Sequence, residues 1–209
     1  MNRRVFRFFF DFLDGQVKWL NGMASQGYRL RACGKLSYVF EECEPGAYEY
    51  AVVYVGNESG DEAQKYRQYL ESMGFRAFTK NINLNFSMGK LRWRPYAKVG
   101  GQIATLPGAL NKELLILEKK KDGTSFELHT TARDKQMIYS AVRNMYMYAA
   151  ILLAVLCVVT FMPGVVSLTD VWANVLRSVL GVITVCYLVP TVRYTMLAKA
   201  AQEQSRLFD

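Results

Sequence analysis

The chain has 209 residues, 26 Lys and Arg against 18 Asp and Glu, and a formal net charge of +8. With 51% hydrophobic and 21% charged residues it is too apolar and too sparsely charged to be disordered, and a mean hydropathy of +0.02 is too low for a protein made mostly of membrane helices. At about 100–200 residues per domain, the length allows one domain plus an accessory segment.

The N-terminus carries Arg3, Arg4 and Arg7 around a short apolar run that Asp11 breaks. The run is too short for a signal peptide and no small-residue cleavage site follows. Asp11 to Gln26 predicts a helix capped by Asp11 or Asp14. Val17, Leu20, Met23 and Ala24 fall at helical spacing, and Gly27 is the expected left-handed C-terminal cap. Strands are expected over Tyr28 to Cys33, Lys35 to Cys43 and Tyr48 to Val55, with Glu44-Pro45-Gly46 as a turn. A second helix over Asp61 to Met73 ends at Gly74, and Phe75 to Thr79 resumes as strand.

The two helix exits match: Gly27-Tyr28-Arg29 and Gly74-Phe75-Arg76. They fit a duplicated helix–strand–strand unit, as in a ferredoxin-like sandwich with helices on one face of an antiparallel sheet. They fit equally well the general liking of helix ends for Gly. Further strands are expected at Ile82 to Phe86 and Leu91 to Tyr96, with a turn at Ser87 to Lys90 and a loop from Lys98 to Asn111. Leu114 to Lys119 and Ser125 to Thr130 read as a hairpin around Asp122-Gly123. Thr131 with Asp134 resembles a capping box, opening a helix that runs on into an apolar region.

From Asn144 to Thr169 there is no Lys, Arg, Asp, Glu or His, and Val171 to Val192 is interrupted only by Arg177. About 20 apolar residues cross a hydrocarbon core of about 30 Å, so the pair predicts a transmembrane helical hairpin with its turn at Pro163 to Asp170. Arg133, Lys135 and Arg143 precede it, and Arg193, Lys199 and Arg206 follow it. The turn carries neither Lys nor Arg, which puts both termini in the cytoplasm by the positive-inside rule. Arg177 is expected to snorkel, and Tyr146, Tyr148, Trp172 and Tyr194 to form an aromatic belt. The expected organisation is therefore α+β, an antiparallel sheet with helices on one face, followed by a two-helix anchor. Residues 1–131 form the cytoplasmic domain, 132–144 a connecting helix, 145–194 the hairpin and 195–209 a cytoplasmic tail.

Asp11-Phe12-Leu13-Asp14, Trp19-Leu20-Asn21, Gly27-Tyr28-Arg29-Leu30, Tyr38 to Glu42 and Pro45 to Tyr50 resemble the bacterial domain-of-unknown-function 2812 family. The likeness is densest over Phe8 to Phe78 and recurs at Leu91 to Arg94, Gly101 to Ala104, Asn111 to Glu118 and Phe126 to Thr131. The resemblance implies an inner-membrane setting and genes beside PadR-type transcription regulators. It implies no activity and no catalytic residues.

The residues themselves offer little for catalysis. His129 is the single histidine, no nucleophile elbow accompanies it, and a lone strand histidine is more often a packed or edge residue. Cys33, Cys43, Cys157 and Cys186 show no metal-binding spacing. Gly100-Gly101 lacks the context of a phosphate loop, and no cofactor is expected. The acidic run Glu41, Glu42, Glu44 and Glu49 reads as a solvated hairpin tip. The aromatic positions Tyr38, Phe40, Tyr48, Tyr50 and Tyr54 are read as one sheet face, a binding face wherever the helices leave it open. Lys90, Arg92, Arg94 and Lys98 interleave with Trp93, as a lipid-facing or nucleic-acid-facing strand does; alternation sets Leu91 and Trp93 on the opposite face, as in an ordinary amphipathic edge strand. Residues 1–143 carry 22 Lys and Arg against 15 Asp and Glu, or +7 of the net charge. That charge suits an anionic leaflet.

The leading expectation is a membrane-anchored, non-enzymatic sensor or adaptor. Its partners would be anionic lipid and a protein, either a PadR-type regulator or a membrane protein, with homo-oligomers open. The alternatives are an accessory subunit of a membrane transport complex, and a tethered nucleic-acid binder, which lacks any recognised module.

Overall fold

The computed structural model describes residues 3–88, 90–97, 102–105, 111–124, 126, 132–162 and 170–208. They fall into two compact units, Met1–Thr131 and Ala132–Asp209.

The first unit is α+β. Its elements are β1 (Arg3–Phe6), α1 (Asp14–Ser25), β2 (Tyr28–Cys33), β3 (Ser37–Glu42), β4 (Tyr48–Tyr54), α2 (Gly60–Ser72), β5 (Arg76–Lys80), β6 (Phe86–Met88), β7 (Leu91–Trp93), β8 (Ile103–Ala104) and β9 (Leu114–Lys120). They build three sheets, β1-β3-β2, β4-β9-β5 and β6-β7-β8, and the pairings within them are antiparallel.

Helix ends follow the sequence closely. Gly27 and Gly74 take φ of +84° and +91°, the left-handed region where a Cβ is penalised. A side chain at Gly27 would also press within 3.0 Å of the Cys43 carbonyl. The start of α1 differs from expectation. Its N-cap is Leu13, with no side-chain cap, and Leu13, Leu20, Met23 and Ala24 hold the helix by burial instead. The start of α2 is a full capping box, Ser59 with Glu62. The Glu62 carboxylate accepts from Ser59 N at 2.9 Å, which holds its pKa below the usual range.

The matched helix exits share turn chemistry but not the pairing that follows. β2 pairs with the next strand, β3, whereas β5 pairs with β9. Strands that a ferredoxin-like sandwich would join in one sheet are thus divided among three. β1 and β8 lie where no strand is expected, and β6 begins only at Phe86. The hairpin partner expected at Ser125 to Thr130 lies, apart from Phe126, outside the described residues, as do Thr131 and the Pro163 to Thr169 turn.

α2 packs Ala63 and Leu70 on the sheet face bearing Ala77, Leu115 and Leu117. α1 lies along the other side. There Asn21 clamps the edge strand β4: its Nδ2 donates to the Tyr50 carbonyl at 3.1 Å, and Tyr50 N donates to its Oδ1 at 2.8 Å. The amide satisfies both outward backbone groups of Tyr50, as a neighbouring strand would.

The second unit is an antiparallel pair of helices, α3 (Ala132–Val159) and α4 (Asp170–Phe208). Each contains an 18-residue window of mean hydropathy 1.9, and only 11% and 6% of these windows is buried. Both helices are long and apolar enough to cross a membrane. Tyr148 and Trp172 are exposed, as belt residues would be. Tyr146 and Tyr194 instead stack on each other between the helices, ring centroids 6.0 Å apart, and Tyr194 is fully buried. Arg177 does more than reach outward. Its Nη2 donates to the Thr160 carbonyl at 2.8 Å, and its guanidinium lies 4.4 Å from the Phe161 ring centroid. It therefore ties α4 to the carbonyl end of α3, where a cation also meets the helix dipole.

Candidate functional site

The five aromatic positions do not form one open face. Tyr38 and Phe40 belong to the first sheet, Tyr48, Tyr50 and Tyr54 to the second. Tyr38, Phe40 and Tyr50 are buried and Tyr48 and Tyr54 half-buried. Trp19 of α1 caps Tyr38 and Phe40 edge-on, at 4.9 and 5.5 Å between centroids. The stripe is core because β3 and β4, neighbours in sequence, enter different sheets and turn their aromatic sides inward.

That interior carries a charge network. Glu118, 2% exposed, accepts from Tyr50 Oη at 2.7 Å and from Arg29 Nε and Nη2 at 2.9 and 2.7 Å. Arg29 stacks on the Tyr48 ring at 4.2 Å, and Leu30 N donates to Tyr50 Oη at 2.8 Å. The hydrogen bonds to Glu118 raise the Arg29 pKa, and burial pushes that of the Tyr50 phenol up. The arrangement locks the first two sheets together. Lys80 is similarly enclosed. Its Nζ donates to the carbonyls of Gly34 and Lys35 at 2.9 and 2.7 Å and sits 4.3 Å from the Tyr38 ring centroid. Burial lowers its pKa.

The basic strand divides. Lys90 and Arg92 are exposed, while Lys98 lies outside the described residues. Arg94 is a correction: it is 1% exposed and cannot face lipid or nucleic acid. β7 ends at Trp93, so the alternation that would carry Arg94 outward stops one residue short. Arg94 Nε lies 3.0 Å from the Oε1 of Glu113, itself fully buried. Nη1 donates to Asn111 Oδ1 at 2.8 Å and Nη2 to the Asn111 carbonyl. Tyr96 and Ile82 N also bond to Glu113, at 3.3 and 3.2 Å. Asn111 in turn donates to the Val55 carbonyl at 2.5 Å. This cluster bolts the third sheet to the second.

Held that way, the third sheet presents apolar side chains to solvent. Phe86 pairs with Trp93 and Trp93 with Ile103, so the three stand in a row on one face. Leu91, two residues before Trp93, joins them. They are 50%, 43%, 59% and 39% exposed, respectively. The alternation of Leu91 and Trp93 with Arg92 sets those two on one face in the sequence; Phe86 and Ile103 join them only through the strand pairing.

Other clusters are less developed. Glu41 lies 3.9 Å from Arg29 and Glu49 3.7 Å from Lys119, so the acidic run is partly paired. Among the described residues no three His, Cys, Asp or Glu side chains converge as a metal site needs, and His129 and Gly100-Gly101 lie outside them. Burial pushes the Cys33 thiol up to about 11, away from a reactive thiolate. A groove of about 790 Å³ runs beside α2, lined by Ser59, Asp61, Gln64, Arg67, Asn111 and Lys112. Arg67 is committed to Glu71 at 2.8 Å.

Comparison with curated proteins and with solved structures finds no match. The family model described as "Protein of unknown function (DUF2812)" matches residues 12–151, a span from the start of α1 into the first apolar helix. The chain therefore belongs to the DUF2812 family.

Proposed function

We propose that the chain is a membrane-anchored, non-enzymatic binding module, a sensor or adaptor whose α+β unit lies in the cytoplasm. The observation that carries this reading is the pair of apolar helices with almost all of their apolar windows unburied. So large an apolar surface supports an apolar surrounding for both helices. The basic residues that flank the helices, with none in the segment between them, support cytoplasmic termini. A protein partner, either a PadR-type regulator or a membrane protein, completes the proposal. The exposed sides of α3 and α4, including Ile151, Leu152, Val182 and Val185, suit lipid. They suit helices of a larger complex equally, which keeps the accessory-subunit reading in play.

The test is alkaline carbonate extraction of bacterial membranes carrying the full chain, followed by protease treatment of tags at each terminus. Retention in the pellet, with both tags cut only in inverted vesicles, is the expected result. Release into the supernatant overturns the anchor. Co-purification in mild detergent separates the two partner classes: a stoichiometric membrane protein favours the accessory subunit, a soluble regulator the adaptor.

A further inference from the structure

We propose that the outer face of the β6-β7-β8 sheet is a membrane-contact site that beds into the head-group region of an anionic bilayer. The proposal rests on the anchored reading above and goes beyond it by assigning a second contact, outside the apolar helices.

The first argument is polarity. β7 turns Leu91 and Trp93 to one side and Arg92 to the other. Arg94, one residue past the end of β7, is fully buried against Glu113 and Asn111, and Ala104, the β8 partner of Arg92, is buried as well. Burying an ion pair carries a large desolvation penalty, and a sheet stabilised for its own sake would bury Trp93 instead. The outward row of Phe86, Trp93, Ile103 and Leu91 is therefore an apolar face in search of a medium. Trp prefers the head-group level, where its ring meets both chains and water, and Phe and Leu line the apolar face of interfacial segments.

The second argument is charge. Between Glu71 and Glu113 the sequence has no Asp or Glu and seven Lys and Arg; Lys80 and Arg94 are buried, and Arg76, Lys90, Arg92 and Lys112 are exposed. Lys90 adjoins the apolar row and Arg92 stands on the opposite side of the same short strand, both exposed. An anionic surface complements such a segment; a second copy of the same positive segment repels it. Leu91 and Ile103 also argue for lipid over nucleic acid. They offer bases no stacking platform, whereas aliphatic side chains partition into the interface.

The experiment places the environment-sensitive dye NBD on Ile103→Cys in the full chain, with Cys33→Ala, Cys43→Ser, Cys157→Ala and Cys186→Ala. The chain is reconstituted in vesicles of phosphatidylcholine alone or with phosphatidylglycerol. Blue-shifted emission, quenched by nitroxide-labelled lipid and stronger in the anionic vesicles, is expected. Phe86→Ser with Trp93→Ser should abolish the shift. Lys90→Glu with Arg92→Glu should lower occupancy in anionic vesicles by at least about fivefold per charge. An unchanged urea midpoint in these variants keeps misfolding apart from lost contact. Unshifted emission in both vesicles from a carbonate-resistant chain overturns this inference while leaving the anchor intact; a carbonate-extractable chain overturns the anchor itself. A shift that follows protein-to-lipid ratio rather than lipid charge assigns the face to a second copy, and a shift raised only by an oligonucleotide assigns it to nucleic acid. Either result overturns the proposal.

Discussion

Arg94 shows how one buried side chain can set the character of a surface it never reaches. Its guanidinium satisfies Glu113 and Asn111, and by doing so anchors the chain immediately after β7. Replacing it with Met leaves the fully buried Glu113 carboxylate without its cation. We expect Arg94→Met to lower unfolding stability by about 3–5 kcal/mol, read as a drop in urea midpoint. The double variant Arg94→Met with Glu113→Leu should recover most of that loss, because no uncompensated charge remains. Failure of the double variant to recover would mean that Asn111 and Tyr96 need the charges themselves. No local pattern foretells this role: a strand of Lys90, Arg92 and Arg94 looks like one basic face until β7 ends at Trp93.

At the scale of elements, the edge of β4 is the exposed liability of the second sheet, since β9 covers only one of its sides. α1 closes the other side through Asn21. Asn21→Ala removes both hydrogen bonds to Tyr50, one of them accepted by the carbonyl and one donated by the amide. The expected cost is about 1–3 kcal/mol, measured by thermal melting. A free strand edge should also promote self-association, visible by size-exclusion chromatography. An unchanged melt would show that water replaces the amide without loss. The same helix carries Trp19, so α1 both seals an edge and caps the aromatic core. The hairpin has its own lock in Arg177, whose hydrogen bond to Thr160 joins α3 to α4.

For the whole molecule, the question is which solvent the second unit meets. Val182 is 64% exposed on α4. In water a Lys there would change stability by no more than about 0.5 kcal/mol. At the centre of a membrane span it costs about 2.5–3.5 kcal/mol. We therefore expect Val182→Lys to reduce the carbonate-resistant fraction sharply, and Val182→Leu to leave it unchanged. Equal retention of the two variants would mean that this side of α4 faces water or protein. The first unit is held by different means: cross-sheet pairs such as Arg29 with Glu118 and Lys80 with the carbonyls of Gly34 and Lys35 join strands far apart in the chain.

The sequence by itself determined what depends on neighbours along the chain. The apolar helices follow from uninterrupted composition. The helix ends at Gly27 and Gly74 follow from the positive φ that only Gly adopts freely, and β2 and β9 follow from their β-rich runs. Tertiary structure alone decided which strands share a sheet and which faces are buried. Tyr38 and Tyr50 became core because β3 chose β1 and β2 while β4 chose β9. Arg94 went inside because it found Glu113. Both outcomes rest on pairings between distant residues, whose free energy no local pattern contains.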